Sequence, residues 1–393
     1  MQWMVPEEKL GSDQKEIIEE IGKIGNKPIW IKGNAGSGKS VVLIQSIKDY
    51  LASHPNANVC IVVFTRALLD MISNGIKQVP QLEGKNIPVY TIYQLYPKIM
   101  NGQVYPYDAI FCDEVQDLPL TFISSMKKAC HHLILAGDAS QSIYTDVPNF
   151  ITPSASVEEI KTKIAPLEFE LNFIYRLSKS ILGMLRNVFP QLLDELVHVN
   201  KQDTQIKLFQ AESFENEVAY TWKDAKATKL RRQEESTAIL ISLRESIADY
   251  VNQVLTIENK PNWIKELDQN GQLHFGSMNK HLEDQNIPLM YLGNTHGSLS
   301  KADQENKTII MTYHSSKGLD FNYVYLPLIN TEMYIHENIN ELLLVALSRS
   351  KGGLTLTYNG ELYPHLIPFL RDIPINPLPG SGNQDNSKKK TKI

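Results

Sequence analysis

The sequence predicts an α/β protein made of two domains, each built on a parallel sheet. Short apolar runs of strand length alternate with amphipathic helical stretches along most of the chain, which is typical of parallel strands joined by crossover helices. A glycine-rich loop lies directly between one such run and a helical stretch. The 393 residues correspond to two or three domains at about 150 residues each.

The predicted strands fall into two groups, one in each half of the chain. They are residues 28–32, 59–64, 109–112 and 132–136, and then 206–210, 237–241, 308–312, 323–326 and 354–358. The first helix is expected to begin near Ser12 or Asp13, which are both good N-cap residues, and to end near Ile21 before Gly22. A second helix is expected from Lys39 to about Ala52.

Composition and charge exclude several classes of protein. With 39 Lys and Arg residues against 44 Asp and Glu, the net charge of -5 excludes a basic protein that coats nucleic acid, so any nucleic-acid site must be a local groove. No segment approaches the ~20 consecutive apolar residues of a membrane span. The N-terminus lacks the pattern of a secretory signal, and we therefore expect a cytoplasmic protein. Cys60, Cys112 and Cys130 lack disulfide or zinc spacing and are expected to be reduced thiols in or beside strands.

Residues 33–40 read GNAGSGKS and follow the first predicted strand. This strand–loop–helix context is the one a phosphate-binding loop requires. Gly33, Gly36 and Gly38 let backbone N–H groups converge on phosphate oxygens, while Lys39 reaches the β- and γ-phosphates and the Ser40 hydroxyl ligates Mg²⁺. The sequence therefore predicts a site for ATP and Mg²⁺.

Two further predicted strands end in polar residues that suit phosphoryl chemistry. Asp113 and Glu114 follow the apolar run 109–112, where Asp113 is expected to ligate Mg²⁺ and Glu114 to act as the base that aligns the attacking water. Gln141 follows the next strand and is expected to sense the γ-phosphate from the same sheet edge. An exposed acidic turn is the alternative for residues 113–117.

Taken in order along residues 10–358, these segments and several later ones resemble the superfamily-one ATPases of the UvrD/Rep helicase type. The resemblance implies two RecA-like domains, residues 1–170 and 171–376, with an ATP cleft between them. The composition of residues 377–393, which cannot build a core, predicts a disordered basic tail. At the nucleotide, the resemblance implies that Gln14 reads adenine and that Tyr175 stacks on it. Arg176 is expected to contact the γ-phosphate and Arg349 to act as the arginine finger, while Gly318 and Asp320 belong to the same site. The residues implied to contact a single nucleic-acid strand are Thr65, Arg66, Tyr93, Tyr144 and His314.

Arginines from a second domain also fit general phosphoryl-transfer chemistry, because a phosphate loop alone cannot neutralise the transition state. Arg349 taken by itself is equally compatible with a surface arginine, so its role follows from the resemblance alone. We expect ATP to close the cleft and hydrolysis to reopen it.

The chain departs from this family in four ways. Gly11 stands where the family usually has Asn, and Asp320 stands where it has Glu. After Tyr144, residues 146–148 read DVP in place of a Trp-containing segment that stacks on a base, which predicts a weaker grip on DNA. The segments from Thr65 to Asp113 and from Gly293 to Thr312 are too short for the large accessory subdomains, so a minimal form is predicted.

Two functions follow as hypotheses. The first is an ATP-dependent translocase on single-stranded nucleic acid, DNA in preference to RNA, moving 3′ to 5′ in DNA repair, recombination or phage defence. The alternative is a nucleic-acid-gated ATPase subunit that controls a partner nuclease or belongs to a defence complex. A small-molecule kinase explains the phosphate loop but leaves Gln14, Tyr175 and Arg349 unexplained.

Overall fold

The computed structural model describes residues 3–23, 25–103, 106–138, 153–190, 197–199, 203–293, 296–333 and 339–379. They form two parallel sheets flanked by helices. Both sheets are parallel throughout their paired strands. This is the architecture of two RecA-like domains, as the alternation of strands and helices predicts.

The first sheet has six strands in the order β3-β2-β4-β5-β1-β6. Its strands are β1 Ile29–Gly33, β2 Val59–Val63, β3 Val89–Thr91, β4 Tyr107–Cys112, β5 Cys130–Gly137 and β6 Leu167–Leu171. The helices that accompany it are α1 Ser12–Lys23, α2 Lys39–Ser53, α3 Arg66–Lys77, α4 Ile92–Met100, α5 Leu120–Ala129 and α6 Val157–Ile164.

The second sheet has seven strands in the order β11-β12-β10-β13-β14-β9-β15. Its strands are β9 Gln205–Ala211, β10 Thr237–Ile241, β11 Leu289–Tyr291, β12 Thr308–Thr312, β13 Phe321–Leu326, β14 Ser350–Asn359 and β15 Ile375–Pro377. Its helices are α8 Phe214–Arg231, α9 Arg244–Ile257, α10 Phe275–Asp284, α11 Leu299–Gln304, α12 Ile339–Leu347 and α13 Ile367–Leu370. Between the two sheets lie β7 Phe173–Ile174, α7 Lys179–Arg186 and β8 Val197–His198, where β7 and β8 pair in parallel.

The central strands are buried on both faces, which explains their continuous apolar runs. All five residues of β2 and of β10 are buried, as are the last four residues of β4. The thiols of Cys60 and Cys112 lie in β2 and β4, and neither forms a disulfide. In the described part of the chain, no helix is both long and apolar enough to span a membrane.

Two sequence-based boundaries need correction. The first helix passes through Gly22 and ends at Lys23, because Gly22 does not take the positive φ with which a glycine commonly ends a helix. The expected tail begins too early at residue 377, because Ile375–Pro377 pairs with Leu208–Gln210 at the sheet edge and Leu378 is buried. The lysine-rich residues 380–393 lie outside the described residues.

Candidate functional site

The phosphate loop connects β1 to α2 at the carboxyl edge of the first sheet. Gly36 and Gly38 have φ angles of 83° and 88°, a backbone region that favours glycine. The ammonium of Lys39 lies 2.6 Å from the carbonyl oxygen of Gly33 and 3.3 Å from that of Asn34. The loop's own carbonyls therefore hold the lysine at the place where phosphate oxygens would compete for it.

Ser40 and Asp113 meet beside this loop. The Ser40 hydroxyl donates to Asp113 Oδ2 at 2.5 Å, and the backbone N–H of Glu114 donates to Asp113 Oδ1 at 2.9 Å. Burial and the neighbouring Glu114 raise the pKa of Asp113. A hydroxyl and a carboxylate beside a phosphate loop are the oxygen ligands that suit Mg²⁺, which takes its remaining ligands from phosphates and water. The two side chains predicted from the sequence to bind metal are thus in contact.

Glu114 has a left-handed backbone conformation with a φ of 54°, which turns its buried side chain into the cleft. Gln116 Nε2 donates to the Glu114 carboxylate, and Gln116 Oε1 accepts from the backbone N–H of Asp138. Burial acts to raise the pKa of Glu114, but the ammonium groups of Lys317 and Lys39 outweigh it, so the pKa lies below the usual value. Glu114 is therefore an ionised carboxylate. The orienting role of Gln116 escaped the sequence reading.

The phosphate loop also contacts Gln14 and Tyr175. Gln14 Nε2 donates to the Ser37 carbonyl at 3.0 Å, and the Gly11 N–H donates to Gln14 Oε1 at 3.1 Å. The Tyr175 hydroxyl donates to Asp13 Oδ1 at 2.6 Å. A Cβ placed on Gly11 would lie only 1.7 Å from that hydroxyl oxygen. The departure from the family at Gly11 therefore makes room for Tyr175, a relationship that spacing alone does not reveal.

Side chains from later in the chain complete the cleft. Arg176 Nη1 lies 3.7 Å from Asp320 Oδ2, and Lys351 lies 3.4 Å from Asp320 Oδ1. Burial acts to raise the pKa of Asp320, but Lys351, Arg176 and Arg349 hold it below its ordinary value. Arg349 is 1% exposed and donates to the carbonyl oxygens of Val345 and Leu319 at 2.7 and 2.9 Å. Both arginines predicted from the sequence therefore reach the cleft.

Together these residues enclose a cleft of about 400 Å³. Among its lining residues are Gln14, Gly36, Gly38, Lys39, Ser40, Glu114, Tyr175, Arg176, Gly318, Asp320 and Arg349. The cleft is also lined by Trp3, Val5 and Lys9, which lie before the first sequence motif and were not predicted. Gly33 lies next to this lining, where a Cβ would be 2.5 Å from Ser37 Oγ.

A buried ion pair joins the two domains behind the cleft. Lys317 Nζ lies 2.6 Å from Asp117 Oδ2 and 4.0 Å from Glu114 Oε2. Burial raises the pKa of Asp117 to about 7, although Lys317 acts in the opposite direction. Next to this pair, a Cβ on Gly318, whose φ is 75°, would lie 2.4 Å from Leu68 Cδ2. The loop that follows β12 is therefore held against the first domain by two contacts, the approach of Gly318 to Leu68 and the ion pair between Lys317 and Asp117.

The residues predicted to contact a nucleic-acid strand lie at the carboxyl ends of parallel strands. Thr65 and Arg66 follow β2, Tyr93 follows β3 and His314 follows β12. Thr65 is buried and its Oγ1 accepts from Leu68 N at 3.2 Å as the cap of α3, whereas the Tyr93 side chain is 37% exposed. Burial lowers the pKa of His314, as do Arg244 and Lys317.

Two predicted site residues cannot be placed. Gln141 and Tyr144 both belong to the segment 139–152, which lies outside the described residues. The same holds for residues 146–148, which replace the family's stacking segment. The preceding strand β5 ends at Gly137, at the same edge as Asp113.

Two families match parts of the chain. Residues 14–146 match the family described as AAA domain, and residues 262–361 match the UvrD-like helicase C-terminal domain. No curated protein matches the sequence.

Among solved structures, the chain is similar to nonstructural protein 10 (helicase) of Arterivirus. The crystal structure of that helicase is 15% identical with a TM-score of 0.44, and the match covers 90% of this chain and 64% of that one. The structure of its complex with DNA is 14% identical with a TM-score of 0.44, and the match covers 91% and 65%. The present chain thus spans less than two thirds of the length of these structures.

The two family matches follow each other along the chain, with the AAA domain first. The AAA domain carries the phosphate loop together with Asp113 and Glu114, and the C-terminal match carries Lys317, Gly318 and Arg349. Among the described residues, no large subdomain interrupts the paths from β2 to β4 or from α10 to β12. The chain therefore belongs to the UvrD-like helicase family, and its described residues contain no large accessory subdomain.

Proposed function

We propose that this helicase-family chain hydrolyses ATP and uses the energy to move along single-stranded DNA, with RNA as the second candidate track. Residues 1–170 form the first motor domain in this proposal, and the second runs from residue 171 to at least Leu378. The observation that carries the proposal is that the cleft is lined by groups from both domains, Lys39 and Glu114 from one and Arg176 and Arg349 from the other. A site built in this way responds to domain closure.

In this proposal the nucleotide binds across the phosphate loop. Tyr175 and Gln14 hold the base, since both line the cleft and contact the phosphate loop. Lys39 leaves the carbonyls of Gly33 and Asn34 to bind the β- and γ-phosphates. Ser40 and Asp113 would hold Mg²⁺, which would neutralise the charge that develops on the phosphates.

Hydrolysis in this scheme uses groups that the two domains bring together. The ionised Glu114 accepts a hydrogen bond from the attacking water and takes its proton, while Gln116 fixes the carboxylate orientation. Arg176 and Arg349 bring positive charge to the γ-phosphate as the cleft closes. Closure and opening then alternate with each ATP consumed, which is the movement that a translocase needs.

The strand itself is proposed to cross the carboxyl edges of both sheets, over Arg66, Tyr93 and His314, with Tyr144 as a further stacking residue. These edges are where ligands bind in open parallel sheets. His314 begins the short helix that leads to Lys317, and Lys317 pairs with Asp117 near the proposed base. This short path provides a physical link between strand binding and hydrolysis.

The test of this proposal is the ATPase rate of the purified full chain with and without single-stranded DNA or RNA. We expect DNA to stimulate hydrolysis and Lys39→Ala to abolish it in both conditions. If ATP is hydrolysed but no nucleic acid changes the rate, the translocase proposal fails.

A regulatory subunit remains the second candidate. Its supporting observation is that Arg349 donates to Val345 O, Leu319 O and Ser348 Oγ within its own domain, so a binding event that loosens these bonds would switch its action on a phosphate. In that scheme the chain controls a partner nuclease in recombination or phage defence. An ATPase rate that a partner protein raises and that no nucleic acid changes distinguishes the regulatory subunit from the motor.

A further inference from the structure

Residues 261–274 form a segment of the second domain whose far end places Gln272 and His274 next to Arg244 and His296. Its base is anchored by Trp263, which is 4% exposed and exchanges two hydrogen bonds with the side chain of Asn252, at 2.9 and 3.2 Å. Lys265 pairs with Asp249 at 2.6 Å. The segment is therefore held against α9 at its beginning.

The far end is folded into a tight turn by Asp268. Asp268 Oδ1 accepts from the backbone N–H groups of Asn270 and Gln272 at 2.8 and 2.9 Å, and Asp268 N donates to Gln272 O at 2.7 Å. His274 N donates to Glu266 O at 2.8 Å, which closes the segment into a hairpin. This turn fixes the positions of Gln272 and His274.

Gln272 and His274 meet residues that follow two strands of the second sheet. Gln272 Oε1 accepts from Arg244 Nη1 at 3.2 Å, and Arg244 begins the helix after β10. The ring of His274 lies edge-on to His296, which follows β11, with centroids 5.5 Å apart. His274 is 42% exposed on its side chain, so the group is open to solvent.

Gly276 permits this arrangement, because a Cβ there would lie 3.0 Å from His296 Nδ1 and 3.4 Å from His274 Nε2. Arg66 of the first domain also faces this group, since its charge helps lower the pKa of His296. The cluster of Arg244, His274 and His296 therefore lies beside the edge over which the strand is proposed to pass.

We propose that the segment 261–274 completes a phosphate-binding site, in which Arg244, His274 and His296 bind one phosphate of a single nucleic-acid strand and the His296 ring takes up a proton. This inference rests on the proposed function, since the phosphate belongs to the same strand that the motor follows. Guanidinium and imidazolium groups are donors to phosphate oxygens. Such a site gives a function to the polar side chains of Gln272 and His274 at the end of this hydrogen-bonded segment.

The charges around the imidazoles determine the direction of the pH effect. His296 faces His274, Arg66, Arg244 and Asp268, and His274 also faces Glu266 at 3.9 Å. Burial lowers the pKa of His296, as do His274, Arg66 and Arg244, so its ring is neutral at pH 7 without a ligand. A bound phosphate favours the protonated ring, and affinity therefore rises as the pH falls.

The test is fluorescence anisotropy of a labelled single-stranded oligothymidylate with the full chain, measured across salt concentrations at pH 6 and pH 8. We expect Arg244→Gln to reduce the slope of log K against log salt by about 0.7, the value for one phosphate contact on a single strand. We expect the double variant H274Q/H296Q to lose most of the several-fold gain in affinity that the wild type shows at pH 6. Lys280→Gln is the matched control, because it removes one positive charge from an exposed lysine of α10 that pairs with Asp284.

Thermal unfolding of each variant establishes that it folds, and H274Q/H296Q, whose two side chains are only partly buried, gives a second test if Arg244→Gln does not fold. Wild-type salt slope in Arg244→Gln together with a wild-type pH profile in H274Q/H296Q overturns this inference while leaving the motor intact. A wild-type chain that binds no oligonucleotide at either pH overturns the proposed function and this site with it.

Discussion

Lys317 Nζ lies 2.6 Å from Asp117 Oδ2, although 200 residues of chain separate them and both side chains are buried. Asp117 lies three positions after Glu114, and Lys317 precedes Gly318, which lines the nucleotide cleft. The pair therefore connects the proposed base in the first domain to the loop that follows β12 in the second.

Replacing Lys317 with Met leaves Asp117 buried without its cation, and we expect a loss of about 3–5 kcal/mol of stability. The pKa of Asp117, already raised to about 7, then rises further. A buried acid with a raised pKa stabilises the fold at low pH and loses that contribution as the pH rises. The deficit relative to wild type should accordingly be larger at pH 8 than at pH 5.5, as measured by denaturant unfolding.

A double variant, K317M/D117L, provides the control for that experiment. Because an apolar pair often replaces a buried ion pair without loss, it should recover most of the stability. Its ATPase should no longer respond to DNA, since the charge link to Glu114 is gone. Full DNA stimulation in the double variant contradicts a coupling role for the pair.

The contact between Gly11 and Tyr175 gives a second prediction. A methyl group at Gly11 collides with the Tyr175 hydroxyl, which then loses its hydrogen bond to Asp13. We expect Gly11→Ala to raise the KM for ATP about fivefold, the equivalent of one hydrogen bond worth ~1 kcal/mol. Gly22→Ala is the control, because a Cβ there meets no atom. Equal KM values in the two variants would remove Tyr175 from the nucleotide site.

Glu114 and Lys39 should separate hydrolysis from binding. Glu114→Gln keeps the Mg²⁺ ligands Ser40 and Asp113 but removes the proposed base, so we expect ATP binding to persist while turnover falls by orders of magnitude. Lys39→Ala should abolish turnover and weaken binding. Nucleotide binding followed with a fluorescent ATP analogue distinguishes these outcomes, and loss of binding in Glu114→Gln assigns Glu114 a structural role.

Arg176→Ala and Arg349→Ala should lower kcat more than they weaken ATP binding. Arginine fingers contribute about 10³–10⁵ in rate, and both groups would act only when the cleft closes. Single-turnover kinetics at saturating ATP measures this effect. Arg349 is buried and hydrogen-bonded to Val345 and Leu319, so a folded Arg349→Ala chain with unchanged kcat shows that its role is to join those carbonyls.

The sequence predicts the strands and the phosphate loop well because both depend on local patterns. Buried parallel strands such as Thr237–Ile241 and Thr308–Thr312 carry continuous apolar runs, and the glycine loop has a fixed spacing. The short strands Val89–Thr91 and Ile375–Pro377 escaped prediction, since three residues carry too little pattern and Pro377 disfavours a strand in a central position.

The contacts of the site that join residues far apart in the sequence could not be predicted in this way. Nothing in the local sequence shows that Gly11 must make room for Tyr175, that Lys317 pairs with Asp117, or that Trp3 lines the cleft. Each of these relationships joins segments separated by a large part of the chain, and only the folded arrangement brings them together.

The central claim is that ATP hydrolysis moves this chain along a single strand, and displacement of streptavidin from biotinylated single-stranded DNA tests it most directly. A 3′-to-5′ motor should release streptavidin from a 5′-biotin much faster than from a 3′-biotin, with ATP and not with Glu114→Gln. No ATP-dependent release from either end, in a chain whose ATPase is active, would contradict movement along the strand.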